Sequence, residues 1–153
     1  MSKKVTFVDT GVLIAAARGD EEASAAAFAV LDDPEREFAS SDFVRLETIG
    51  PTAREGYVEQ LHWYLEFFKE GVSRWATDLK AVVDQALGEC MSTPIDPMDA
   101  LHVAAAVLVG ADELVTTEKP GPGRNITRTA SLPVFSIHSA GRPNPTAGKP
   151  PAG

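Results

Sequence analysis

A short apolar run, Val5-Thr6-Phe7-Val8, leads directly into Asp9-Thr10-Gly11 and then into the Ala-rich residues 12–17. β-Branched and aromatic side chains, a polar break and strong helix formers, in that order, read as a buried strand feeding a helix. A chain that begins this way is committed to a strand–helix unit and must supply further strands beside it. Asp9 falls at the carboxyl end of the strand. In open α/β sheets this is the ligand-binding edge, because strand ends and helix starts leave a polar crevice there. Asp is also a favoured N-cap, so Asp9 taken alone reads equally well as the cap of the helix from Thr10.

The rest of the chain supplies such units. Ala23, Ala26, Ala27, Val30 and Leu31 recur at helical spacing until Pro34, and a short strand is expected near 37–39. Ser40-Ser41-Asp42 offers N-caps for a helix through Phe43, Val44, Leu46 and Ile49 that carries Glu47 and that Pro51 should kink or end. Leu61, Trp63, Tyr64, Leu65, Phe67 and Phe68 predict an aromatic-rich helix ending near Gly71. Core packing is the commoner role for such residues, but the helix holds more large apolar surface than one face should bury, so part of it is expected to meet another subunit or a partner protein.

Residues 72–76 read as a strand, and Thr77 as the cap of a helix through Leu79, Val82, Val83, Ala86 and Leu87. A second helix start is stronger: Asp96 as N-cap, Pro97 at the first helical position and Asp99 in the first turn, with the helix running to Gly110. Strands are expected over 113–116 and 134–137, joined by a polar loop over 120–128. Strands alternating with helices predict an α/β domain with a mostly parallel sheet. That domain is expected to occupy residues 1–138, and the Pro/Gly-rich residues 139–153 to form a disordered tail.

The 153 residues suffice for one domain with a sizeable core, and the net charge of −8 argues against a nucleic-acid binder that works by blanket electrostatics. Any such contact must be local, metal-assisted, or both. Cys90, the single cysteine, cannot form an internal disulfide and is expected to be at least half-buried in its helix. No run is long enough to span a bilayer, and the apolar stretch behind Lys3-Lys4 is interrupted by Asp9, so neither a membrane association nor a secretory leader is expected and the protein reads as cytoplasmic.

Four acids then need placing: Asp9 and Glu118 after strands, Asp99 in a first helical turn, and Glu47 within a helix among Phe43, Val44, Leu46 and Ile49. Capping accounts for Asp9 and Asp99, and a loop position for Glu118. Glu47 reads otherwise as a surface charge, which leaves its apolar neighbours unexplained. A carboxylate drawn into a low-dielectric crevice needs a cation, and several converging there need a divalent one. All-oxygen ligands suit magnesium or manganese, an ion that activates water and stabilises the charge of a phosphodiester transition state.

The segments Val5-Thr6-Phe7-Val8-Asp9-Thr10, Ser41-Asp42-Phe43-Val44-Arg45-Leu46-Glu47, Asp99-Ala100-Leu101-His102-Val103-Ala104-Ala105-Ala106 and Leu114-Val115-Thr116-Thr117-Glu118-Lys119, in that order, resemble the motifs of PIN-domain ribonucleases. The layout is most similar to the small PIN proteins that act as VapC-type toxins. The resemblance implies a PIN-like three-layer α/β/α fold. It also implies a Mg2+- or Mn2+-dependent endoribonuclease acting on RNA and paired with a cognate antitoxin, the alternative partner for the aromatic helix. By position, Asp9, Glu47 and Asp99 take the family's metal-binding acids, and Thr10 and Thr116 take its supporting hydroxyls. The family usually has Asp at the fourth acidic position. Glu118 stands there, one methylene longer, and is expected to be an accessory ligand.

Asp96 is sufficiently explained as a cap. His102 lies one turn after Asp99 on the same face, but in an Ala-rich apolar helix it reads as a hydrogen-bonded packing residue and is left outside the catalytic set. Arg45, Lys119, Arg124 and Arg128 are the candidates for holding a substrate backbone, three of them on the loop beside the fourth motif. A homodimer is the expected assembly, as the commonest closed one. Two alternatives stay open: a PIN-like module that binds RNA or a partner with little or no cleavage, and a phosphatase-like α/β hydrolase. The second lacks the Asp-x-Asp nucleophile pattern, because position 11 is Gly.

Overall fold

The computed structural model describes residues 2–119 and 125–140. Five parallel strands, β1 (Lys4–Val8), β2 (Arg36–Ser41), β3 (Val72–Ala76), β4 (Glu113–Thr116) and β5 (Val134–Ser136), form one sheet in the order β3-β2-β1-β4-β5. The chain builds outward from β1 through β2 to β3, then returns to lay β4 on the other side of β1. The direction of winding therefore reverses between β1 and β4, and that is where such sheets open a crevice at the carboxyl ends of their strands.

The right-handed crossover rule puts the helices on opposite faces according to that direction. α1 (Thr10–Arg18), α2 (Glu21–Leu31), α3 (Asp42–Glu55) and α4 (Val58–Glu66) pack with one another, whereas α5 (Leu79–Ser92) and α6 (Pro97–Leu108) form a separate pair. The result is a three-layer α/β/α domain whose sheet is wholly parallel. Phe7, Val8, Leu114 and Val115 of the central strands are buried, as the continuous apolar run at the start of the chain requires of a strand covered on both sides. Ala100, Ala104, Ala105 and Ala106 of α6 are also buried, and their small side chains let that helix lie close to the sheet.

Local chemistry sets the element ends. Asp9, Asp20, Ser41, Asp78 and Asp96 each accept a backbone N–H as N-caps. Gly19 and Gly56 end α1 and α3 with φ of 75° and 79°, a left-handed conformation that favours glycine. Thr77 is not the cap of α5. Asp78 takes that role, accepting from the Ala81 N–H at 3.0 Å.

Other expectations are corrected by packing. Pro51 does not end α3; the helix continues to Glu55. Proline removes only the N–H that would bond the carbonyl of Glu47, and burial of Val44, Thr48 and Thr52 on the same helix holds the remaining turns in place. Most of the aromatic cluster packs on the core: Tyr64 and Phe68 are buried, Trp63 stacks on Phe67 with centroids 5.7 Å apart, and Phe28 meets Trp63 edge-on at 5.9 Å, whereas Leu65 of the same helix is exposed. More exposed apolar surface lies on α5, where Leu79, Val83, Leu87 and Met91 recur every fourth residue. Cys90, on the same helix, is exposed rather than half-buried. β5 stops at Ser136, and a last turn of helix, α7 (Ile137–Ala140), crosses the expected boundary at 138. The expected tail lies outside the described residues beyond position 140.

At the amino ends of the strands, away from the crevice, the Glu113 carboxylate is buried. It accepts from Thr6 Oγ1 at 2.7 Å and pairs with Arg36, with Lys4 Nζ at 3.7 Å. This clamp ties β1, β2 and β4 together.

Candidate active site

Each motif arrives at the crevice on a different element. β1 ends at Val8, and its partner β4 ends at Thr116, so the residues that follow leave the sheet side by side. Asp9 is held from both: its backbone N–H donates to the Val115 carbonyl at 2.9 Å, its Oδ1 accepts the Thr10 N–H at 2.9 Å, and its Oδ2 accepts the Thr116 hydroxyl at 2.7 Å. Capping and site membership are therefore compatible, since one carboxylate does both. Thr116 Oγ1 in turn accepts the Glu118 N–H at 3.1 Å, which turns the chain so that Glu118 enters the crevice.

Gly11 is needed here for space rather than for its torsion angles. A Cβ at that position would overlap the Thr117 hydroxyl, so the tight approach of α1 to the β4 exit requires glycine.

From the other side α3 brings Glu47 and α6 brings Asp99 and His102. Glu47 Oε1 accepts the Thr10 hydroxyl at 2.6 Å and is 2.7 Å from His102 Nε2. The His102 ring nitrogen also lies 3.4 Å from Thr10 Oγ1 and 3.8 Å from Asp9 Oδ1. His102 is only 1% exposed, and its ring rests against Phe7. It is thus the buried packing residue that its helix suggested, but one that reaches three side chains of the site. The sequence signal for this was available in its position one turn after Asp99.

The electrostatics divide the acids into two groups. The Glu47 carboxyl lies below the usual range, chiefly because of the His102 hydrogen bond, with burial opposing and the Thr10 bond assisting. Burial pulls His102 downward, but the Glu47 bond and the charges of Asp9, Glu47 and Asp99 together hold it above its ordinary value. Asp99 moves the other way. Burial and then repulsion from Asp9 and Glu118 push it up to about 7. Glu118 Oε2 is buried with no hydrogen-bond partner, and so is His102 Nδ1.

Among the described residues, no group of three or more His, Cys, Asp and Glu side chains is drawn together as a ready-made ion cage. The donor set nevertheless fits a hard divalent cation. It is all carboxylate oxygen, Asp99 carries repulsion from Asp9, Glu118 and Asp96 that His102 offsets only in part, and one buried Glu118 oxygen lacks any partner. An ion is the kind of group that would relieve both.

The expected substrate cations are more dispersed. Arg45 sits on the exposed side of α3 and pairs with Asp42 at 3.0 Å, Lys119 is exposed beside Glu118, and Arg128 is exposed and donates to Asn125 Oδ1 at 3.3 Å. Arg124 lies outside the described residues.

Comparison with known proteins agrees with this layout. A family model described as the PIN domain matches residues 6–119. The fold is similar to a VapBC2 structure from Rickettsia felis bound to a promoter DNA fragment, with TM-score 0.61 and 16% identity over 86% of this chain and 98% of that one. It is also similar to a DNA-bound VapBC from Salmonella typhimurium, with TM-score 0.61 and 17% identity over 90% and 99% of the two chains. Mycobacterium tuberculosis VapC20, described as a sarcin–ricin loop cleaving toxin, gives TM-score 0.57 and 18% identity over 71% and 86%. No curated protein matches the chain in sequence.

Proposed function

This chain belongs to the PIN domain family, and from that premise we propose that it is a metal-dependent endoribonuclease that hydrolyses RNA phosphodiester bonds as the toxin of a toxin–antitoxin pair. What supports the reading is that Thr10 joins Asp9 and Glu47 at the reversal point of the sheet, while burial and the charges of Asp9 and Glu118 push Asp99 up to about 7. A structural role would not gather so much negative charge. Buried carboxylates that repel one another, as Asp99 and Glu118 do, cost stability and point to a ligand that neutralises them.

In this reading the four acids hold Mg2+ or Mn2+. The chemistry that a bound ion would supply there is activation of water and stabilisation of charge on the reacting phosphate. The protein's part is orientation. Thr116 and the Thr10 N–H fix the two Asp9 oxygens, and Thr10 and His102 fix Glu47. The buried Glu118 oxygen supports a further donor on the β4 side, in the accessory role expected of Glu118. Lys119, next to Glu118 in the chain, is proposed to contact the RNA backbone, with Arg45, Arg124 and Arg128 as further candidates.

Two partners accompany the proposal. The VapBC complexes among the structural neighbours support a cognate antitoxin. The apolar row on α5 supports self-association into a homodimer. No helix among the described residues is long and apolar enough to cross a membrane, and we propose a cytoplasmic location.

The test is cleavage of a panel of RNAs, including a sarcin–ricin loop fragment, by wild type and Asp9→Asn with and without Mn2+. Asparagine keeps the shape and the capping oxygen but loses the charge. Cleavage by wild type alone, dependent on the ion, is expected. Equal cleavage by both proteins would overturn the assignment. RNA retention without cleavage by either would favour a binding module.

A further inference from the structure

The residue that joins all three sides of the crevice is His102. Its Nε2 lies 2.7 Å from Glu47 Oε1, 3.4 Å from Thr10 Oγ1 and 3.8 Å from Asp9 Oδ1. The ring is shut away from solvent against Phe7 of the central strand. Glu47, by contrast, stands on α3 with its side chain 34% exposed, at the turn where Pro51 has removed the N–H that would bond its own carbonyl. A glutamate on that turn has several rotamers open to it, and a long exposed carboxylate loses entropy when it is fixed.

Two donors fix it here, and both go to the same oxygen. Thr10 Oγ1 and His102 Nε2 meet Glu47 Oε1, and no hydrogen bond is described to Oε2. We infer that His102 is a positioning residue for the proposed metal centre: by holding Oε1 together with Thr10, it aims Oε2 of Glu47 as the oxygen available to the cation. His102 would not touch the ion. Its effect passes through Glu47, in the manner of the hydrogen-bonded partners that orient ligating carboxylates elsewhere.

For Nε2 to donate to Glu47 it must carry the proton, so the ring cannot be replaced by just any polar group. Glutamine places its amide nitrogen near the Nε2 position. The shorter asparagine stops near Nδ1, where the structure offers no partner.

The inference rests on the metal reading above, and the experiment separates the two. Mn2+ binding is measured by titration calorimetry for wild type, Asp9→Asn, His102→Gln, His102→Asn and Glu47→Gln, and for the last combined with His102→Asn. Thermal melts without metal report whether each variant is folded. His102→Asn is expected to weaken Mn2+ binding about 10–100-fold, the range for partners of metal ligands, while His102→Gln stays within a few-fold of wild type. Added to Glu47→Gln, the asparagine substitution should cost little more, because its effect runs through that carboxylate. Equal binding by the glutamine and asparagine variants overturns the positioning role, as does an asparagine loss that persists undiminished beside Glu47→Gln. If wild type binds no Mn2+, or Asp9→Asn binds it equally, the metal reading falls and takes this inference with it.

Discussion

The hydroxyl of Thr116, the last residue of β4, donates to Asp9 Oδ2 at 2.7 Å across the junction with β1. The two residues are 107 positions apart in the chain, yet their pairing fixes the carboxylate on which the site is built. Because the same hydroxyl accepts the Glu118 N–H, removing it leaves two polar groups without their partner at once. Thr116→Val keeps the shape of the side chain. It should destabilise the fold by about 1–3 kcal/mol in urea unfolding and weaken Mn2+ binding about 10-fold or more, whereas Thr116→Ser should restore both.

Asp99 makes the protein's stability depend on pH in an unusual direction. Its folded value of about 7 stands above the ordinary 3.8, so between these limits the folded state binds more protons than the unfolded one. Its contribution is fully present below the unfolded value and is lost as the pH rises through the folded one. In metal-free buffer, Asp99→Asn should match wild type at pH near 3.8 and become progressively more stable than it toward pH 7. Melting temperatures across that range check the sign, and a gap that narrows as pH rises would contradict it.

Glu118 contributes to that shift through its charge. Glu118→Gln should bring the Asp99 carboxyl down from about 7, read by NMR titration of the metal-free protein, and lower Mn2+-dependent cleavage by about 10–100-fold. Glu118→Asp, which restores the residue usual in the family, is expected to keep activity or raise it. An unchanged Asp99 titration in Glu118→Gln would place the Glu118 carboxylate away from the site.

At the far end of the strands, Arg36→Met should leave the buried Glu113 carboxylate without its closest cation. Breaking a buried pair from one side costs about 3–5 kcal/mol, and Lys4 at 3.7 Å compensates only in part. Urea unfolding should show the loss. Mn2+ affinity should not change, because the clamp and the crevice lie at opposite ends of the sheet.

The α5 row gives a prediction about assembly. Leu87 and Met91 are 58% and 85% exposed, and burying such side chains in a second copy is worth about 1.5–3 kcal/mol each when complete. Leu87→Glu with Met91→Glu should shift light-scattering mass toward the monomer and leave a folded protein whose melting temperature no longer depends on concentration. The same change made at Tyr64 should unfold the protein, because that ring is core.

Much of this molecule could be read along the chain, wherever structure follows from neighbours in sequence. The run Val5–Val8 becomes the central strand because nothing but burial on both faces suits it, and Asp96-Pro97 starts α6 because cap and fixed φ act within one turn. The positions of Asp9, Glu47, Asp99 and Glu118 on these elements followed from the same local rules, and the motif resemblance supplied their common purpose. Tertiary packing decided the rest. Pro51 stays inside α3 because buried neighbours offset one lost hydrogen bond. The aromatic residues fold inward because they find each other, and α5 turns its apolar row outward. His102 is the packing residue that its Ala-rich helix announces, and its place one turn after Asp99 was the one local sign that it lies near the site. Its bond to Glu47 needed α3 and α6 to meet over the end of β1, and contacts between residues 55 positions apart have no signature in local periodicity.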